Sequence, residues 1–205
     1  MHYTFDFSKD YILEDDCVLL RPLSANDCVN LRIFSQNEPD IWQFSLQKAA
    51  GEKNLQDYIQ LAMMGRENQK EYPFIVFDKR VQQYAGSTRF YDINLPYRTL
   101  QLGFTWYGKA FQGTGLNKHC KYLLLQFAFE EMGMERVEFR ADNNNARSIA
   151  AMKSIGCKPE GILRSHMPKT EGGRRDSIVL SIVKEEWPGV KEKLEDKLGV
   201  KRVGG

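Results

Sequence analysis

The stretch Leu100-Gln-Leu-Gly-Phe-Thr-Trp-Tyr107, Gly108-Lys-Ala-Phe-Gln-Gly-Thr-Gly115, Leu116-Asn-Lys-His-Cys-Lys-Tyr-Leu-Leu-Leu-Gln-Phe127 decides the fold. Its first eight residues are an apolar and aromatic run of strand length. Gly108 breaks the run. Gln112 to Gly115 then opens a segment in which Leu116, Cys120, Leu123 and Phe127 recur at helical spacing. Strand, glycine loop and helix together make an anion site. Glycine lets the backbone come close to a phosphate, and the first helical turn offers unpaired N–H groups at the positive end of the macrodipole. A phosphate-bearing ligand is therefore the first functional expectation.

A P-loop would need Gly-x4-Gly-Lys-Ser/Thr, and no such spacing occurs. A dinucleotide fingerprint would need a third glycine where Lys118 stands. Gln112-Gly-Thr-Gly115-Leu-Asn117 instead resembles the Gln/Arg-x-x-Gly-x-Gly/Ala loop with which GCN5-related N-acetyltransferases (the GNAT superfamily) hold the pyrophosphate of coenzyme A. Asn117 departs from that pattern, where Gly or Ala is usual; its amide would either crowd the phosphates or contact them. The resemblance continues downstream. Asp142-Asn-Asn-Asn145-Ala-Arg-Ser148 is similar to the Asp-x-x-Asn-x-x-Ser segment of the ribosomal-protein alanine N-acetyltransferase branch. Ile155-Gly-Cys-Lys-Pro-Glu160-Gly-Ile-Leu-Arg164 resembles that branch's Leu-Gly-Phe-x-x-Glu-Gly-x-Leu-Arg. Leu19-Leu-Arg-Pro-Leu23 with Asp27 resembles its opening strand and helix. The likeness runs from about Cys17 to Trp187.

The chain of 205 residues, 42% hydrophobic and 27% charged, suits one soluble globular domain over 1–205, with its core at about 17–187 and a short terminal helix over 188–199. A formal net charge of +2 is no footprint of a nucleic-acid binder. No apolar stretch reaches membrane-spanning length, and the N-terminus lacks the pattern of a signal peptide. Cys17, Cys28, Cys120 and Cys157 show no C-x-x-C spacing, and Cys120 and Cys157 fall at core-facing positions. A reduced, cytoplasmic protein follows as the expectation. His2, His119 and His166 are scattered, which gives metal binding little support.

Periodicity predicts strands over 18–23, 72–78, 84–93, 100–107, 136–140, 158–167 and 174–184. It predicts helices over 27–35, 54–68, 116–132 and 146–155, and a turn around Glu171-Gly-Gly173. Short turns between the three successive strands make them antiparallel. The unit from 99 to 140 should be parallel with a right-handed crossover. The expected fold is α/β: a mixed, mostly antiparallel sheet of about seven strands with helices on both faces. The resemblance implies the GNAT fold, with the two parallel strands splayed to admit pantetheine.

Acetyl transfer to an amine needs a held donor, a neutral nucleophile and a proton for the leaving thiolate. A backbone N–H at the thioester oxygen also helps; the resemblance gives that role to Phe104-Thr105-Trp106. The coenzyme A set is completed by Gln112, Gly113, Thr114, Gly115, Leu116 and Asn117, with Asn145 at the pantetheine amides or acting as a helix cap. Ser148 would help the thiolate leave, or be a first-turn hydroxyl. The Tyr that many acetyltransferases carry seven residues after the loop Asn is replaced by Met152. His166 has a suitable intrinsic pKa for a base; Glu160 is an alternative, and an α-amino acceptor needs none, since its pKa is about 7.7–8.0. Lys118 and Lys121 could meet the phosphates, and Trp42, Phe44, Tyr72 and Phe74 are candidate walls of the acceptor pocket. The expected activity is acetyl-CoA-dependent N-acetylation of a primary amine, on a small molecule or a protein N-terminus, by direct transfer in a ternary complex. A non-catalytic acetyl-CoA-binding module and a longer-chain acyltransferase are the alternatives, and the resemblance also suggests a homodimer.

Overall fold

The computed structural model describes residues 5–169 and 172–199. His2, Glu171 and the terminal Val203-Gly-Gly lie outside them. One sheet of eight strands runs β1(Leu13–Glu14), β2(Val18–Pro22), β3(Tyr72–Asp78), β4(Gln83–Asn94), β5(Thr99–Tyr107), β6(Arg136–Asp142), β8(Arg174–Val183), β7(Lys158–Pro168) in spatial order. The strand not expected from the sequence is β1, two residues paired antiparallel to β2 and too short to show a period. Every pairing is antiparallel except β5 with β6, the parallel unit that the intervening helix requires.

The helices are α1(Cys28–Asn37), α2(Glu52–Glu67), α3(Leu116–Gln126), α4(Ala146–Ser154) and α5(Trp187–Leu198). α2 buries Leu55, Tyr58, Ile59 and Ala62, a stripe at helical spacing, against one face of the sheet. α3 and α5 cover the other face, and α4 packs beside β6. Because both faces are covered, β3 reads Tyr-Pro-Phe-Ile-Val-Phe-Asp without alternation and is buried almost throughout. α3 ends in a π-helical turn over Phe127–Glu131, closed by Gly133 at φ +66. Pro188 in the first turn of α5 and left-handed Gly199 at its end place that helix as the sequence signals require.

Two irregularities of β5 make the site. It pairs with β6 only at Thr99, Leu100 and Gln101; beyond Gln101 the two strands have no ladder between them. Its register with β4 slips by one, since Ser87 faces Trp106 while Arg89 faces Gly103. The extra residue is a bulge at Phe104, whose φ is +49. A bulge bends its strand, and here the parallel pair opens into a V. The Arg89 guanidinium supports the bend. It lies 4.2 Å from the Phe104 ring centroid and 4.7 Å from that of Tyr58, and it is ion-paired to Glu71 at 2.6 Å.

Candidate active site

The V opens into a cavity of about 860 Å³ that reaches from the glycine loop to the β6–β8 side of the sheet. That size suits a cofactor-sized ligand. At one end lie Gly113 and Gly115, with φ of +78 and +87 and no atom within 4 Å of where a Cβ would stand. The left-handed backbone admits glycine without strain and leaves its open face clear. The loop is held from behind. Gln112 Nε2 donates to Tyr107 O at 2.7 Å, Thr114 Oγ1 to Phe111 O at 2.8 Å, and Arg80 Nη1 to Thr114 O at 3.0 Å. Arg80 is itself fixed by buried Asp78, whose carboxyl it keeps below the ordinary range.

Asn117 settles into a definite role. Its Oδ1 accepts from Tyr107 Oη at 3.3 Å, so its amide NH2 is left to donate into the cavity it lines. The side chain that departs from the Gly/Ala pattern thus adds a donor beside the first-turn amides of α3. Asn145 is a helix cap, its Oδ1 accepting from Ser148 N at 3.0 Å, and the residue lines the same cavity. Ser148 lines the cavity too, and among the described residues nothing engages its hydroxyl. Met152 forms the wall beside it.

The structure brings Phe104, Thr105, Trp106, Gln112, Gly113, Gly115, Asn117, Asn145 and Ser148 together around one space. Leu116 is fully buried in the core and Thr114 braces the loop from outside, so neither side chain lines it. Of the four aromatic walls only Phe44 does. Trp42 is completely buried behind Trp106, in an edge contact at 4.9 Å. Tyr72 is core, its hydroxyl donating to Lys9 O and accepting from Tyr11 N; Phe74 packs against it and Phe90. Trp42 backs the wall through Trp106, while Tyr72 and Phe74 belong to the core away from the cavity.

His166 also stands outside the lining. Its Nε2 is 3.5 Å from Arg140 Nη1 and its Nδ1 is buried without a partner. Burial, with Arg140, Arg175 and Arg174 nearby, lowers its pKa. Glu160 is paired to Arg136 and accepts from Ser181 Oγ at 2.6 Å, which takes its pKa down to about 2 and removes it as a base. The sequence reading missed Tyr91, Arg140, Arg147 and Arg175, all of which line the cavity, as does Asp142 of the Asp-x-x-Asn-x-x-Ser segment. Arg175 is 8% exposed and donates to Ser177 Oγ and to Phe44 O, which ties the β8 edge to the loop after α1.

Lys121 does not meet the phosphate loop. Its Nζ turns under the sheet to Thr105 Oγ1 at 2.8 Å and Thr88 Oγ1 at 3.4 Å, and only 5% of it is exposed. One of the scattered histidines has close partners, since Asp15, Cys17 and His119 converge. Asp15 Oδ2 meets His119 Nδ1 at 2.7 Å while its Oδ1 accepts from the Cys17 and Val18 N–H groups. The carboxylate is satisfied by these contacts, which anchor α3 to the β1–β2 turn.

The bulged, splayed parallel pair and the glycine loop thus border one continuous cleft. Residues 18–158 match the Acetyltransferase (GNAT) domain model. The chain belongs to the GNAT acetyltransferase family. Members of the family use acetyl-CoA as co-substrate, and the loop, the donors of Asn117 and Asn145 and the cleft fit that molecule. YjcK of Bacillus subtilis, a probable N-acetyltransferase, is 27% identical over 182 residues, 84% of this chain and 97% of its own. A probable GNAT acetyltransferase structure from Chromobacterium violaceum superposes with a TM-score of 0.78 at 26% identity, covering 86% of this chain and 88% of its own. RimL, a ribosomal L7/L12 alpha-N-protein acetyltransferase, shares the fold at a TM-score of 0.75 and 15% identity, over 85% of this chain and 94% of its own. Among the described residues of this GNAT chain no helix is long and apolar enough to cross a membrane.

Proposed function

We propose that this GNAT protein transfers the acetyl group of acetyl-CoA directly to a primary amine bound beside it. The observation that carries the reading is the continuous cavity joining the glycine loop, the open face of β5 at Phe104 and the unengaged Ser148 hydroxyl. Acetyl-CoA supplies the activated thioester. The loop amides and Asn117 hold its phosphates; Asn145 NH2 serves a pantetheine carbonyl. The unpaired edge of β5 beyond Gln101 presents backbone N–H groups toward the cleft, where negative charge develops. Ser148 donates a hydrogen bond to the departing sulfur. The acceptor enters from the side of Phe44, Tyr91 and Arg175.

Among the described residues no carboxylate or imidazole stands free in the cleft as a base: Asp40 is paired to Lys109, Asp142 accepts from Asn144 N, and His166 faces Arg140 outside the lining. An amine with a low pKa, such as an α-amino group near about 7.7–8.0, arrives partly neutral and needs none. This favours peptide and protein N-termini over alkylamines, and RimL's named activity belongs to the same class. A screen of amines and peptide N-termini for thiol release from acetyl-CoA tests the reading. Turnover should be greater for α-amines than for alkylamines at neutral pH. Coenzyme A binding without thiol release from any amine would replace the enzyme by a binding module.

A further inference from the structure

Among the described residues, Lys121 is the one buried cation in the cavity without an acid beside it. The groups packed around it are Thr88 on β4, Thr105 on β5, Cys120 on its own helix and Cys157 before β7. Both thiols are neutral, burial having pushed each up to about 12. No carboxylate forms an ion pair with Lys121 among the described residues, and burial brings its own pKa down to about 8. Burying an uncompensated ammonium costs several kcal/mol, and the sheet does not need it. The hydroxyls of Thr88 and Thr105 already bond each other at 2.7 Å. A methionine would fill the same space at lower cost. The charge therefore has its use in something that enters the cavity.

Its position says what that is. α3 runs back over β5 from the glycine loop, so Lys121, one turn beyond Asn117, lies over Thr105 next to the Phe104 bulge. Ser148 and Met152 line the same cavity from α4. A ligand whose phosphates sit at the loop threads between these walls and brings its sulfur end past Lys121. Resting on the donor reading above, we propose that Lys121 is the proton source for the coenzyme A thiolate. As the amine nitrogen bonds to the acetyl carbon, the carbon–sulfur bond breaks and its electron pair stays on sulfur. Lys121 gives that sulfur a proton and is left as a neutral amine. The proton shed by the new amide nitrogen passes to solvent, and solvent returns one to Lys121. A serine hydroxyl is a far weaker acid than a thiol, so Ser148 can steady the sulfur but cannot complete the transfer. An ammonium titrating close to a thiol, near about 8.5, is matched to the task.

The test uses the full protein and coenzyme A itself. Calorimetry first establishes binding. The thiolate ultraviolet band of bound coenzyme A is then titrated, with the desulfo-coenzyme A complex as blank to remove the protein's own cysteines and tyrosines. In the wild type the bound thiol should ionise about one pH unit below the free one, a tenfold gain in thiolate at a given pH. Lys121→Met and Lys121→Gln should bind coenzyme A within about threefold of wild type yet lose that shift. Wild-type turnover should decline above about pH 8 as Lys121 loses its proton, and the variants should lack that decline. Two substitutions guard against one that fails to fold. Wild-type protein that binds no coenzyme A would overturn this proposal together with the donor reading. Tight binding with an unshifted thiol, or a shift that survives in the variants, would overturn this proposal alone.

Discussion

Replacing Gly115 by Asp tests the phosphate site with a magnitude taken from the structure. Gly115 sits at φ +87, and a Cβ there meets nothing within 4 Å, so a side chain would project into the open mouth of the cavity. Two costs separate. The left-handed backbone strains an L residue by about 1 kcal/mol, at the low end for Asp and Asn. That lowers stability, and in a domain of this size it moves Tm by about 2–4 °C. The second cost is charge. A carboxylate about 5 Å from a phosphate, at an effective dielectric near 20, is opposed by about 3 kcal/mol per unit charge, less when salt screens it. Coenzyme A affinity should therefore fall about 10²-fold. Gly115→Asn has the same shape and strain without the charge and should lose less than about tenfold. Calorimetry on both folded variants reads the difference. Equal affinities for Asp and Asn, or no loss in either, would refute the placement of the pyrophosphate at this loop.

Ser148→Ala, which removes a hydrogen bond to the charge developing on sulfur, should lower kcat by about 10²-fold while coenzyme A affinity stays within about twofold; unchanged turnover would leave Ser148 as a first-turn residue of α4. Arg89→Met should cost about 3 kcal/mol in urea unfolding, because it strands Glu71 and removes the prop under Phe104. Adding Glu71→Gln should return part of that, and a loss below about 1 kcal/mol in the single variant would show the pair to be dispensable. Glu160, held down to about 2 by Arg136, stabilises the fold above its unfolded pKa of about 4.3 and loses that contribution as pH falls from about 5 toward 2. Glu160→Gln should flatten acid unfolding in that window, and identical acid midpoints in both proteins would remove Glu160 as a contributor.

What the sequence made legible was local. The glycine loop was readable because its chemistry is a backbone property of Gly113 and Gly115, stated by residue type. Asn145 and Ser148 came from a motif whose spacing is one helical turn. The aromatic walls were not readable, because burial alone cannot say which side of a sheet a ring faces. Trp42 and Tyr72 are as apolar as Phe44, and only the third dimension puts one in the cavity and the other two in the core. The bulge was invisible for a different reason: Phe104 is an ordinary strand residue, and its φ of +49 is imposed by the register with β4. Lys121 left a signal that a single-stripe reading of α3 passes over. Asn117, Lys121, Leu124 and Ala128 form a second stripe at helical spacing, and Leu124 and Ala128 are fully buried. A lysine between apolar neighbours on a buried face is therefore buried itself.

The extra residue in β5 is a parity switch. Gly103 shares the α1–α2 face with its partner Arg89, and Trp106, three residues on, points to that same face against Phe34, Trp42 and Tyr58. In an unbroken strand an odd step reverses sides. Removing Phe104 would restore plain alternation, with Gly103 opposite Arg89, Thr105 opposite Thr88 and Trp106 opposite Ser87, each on its present face, and would lose only the bend. Removing two residues would leave Trp106 one step from Gly103 and send it toward α3, away from Phe34, Trp42 and Tyr58. A single deletion at this point therefore spares the two faces and closes the cleft, while a double deletion exchanges their contents.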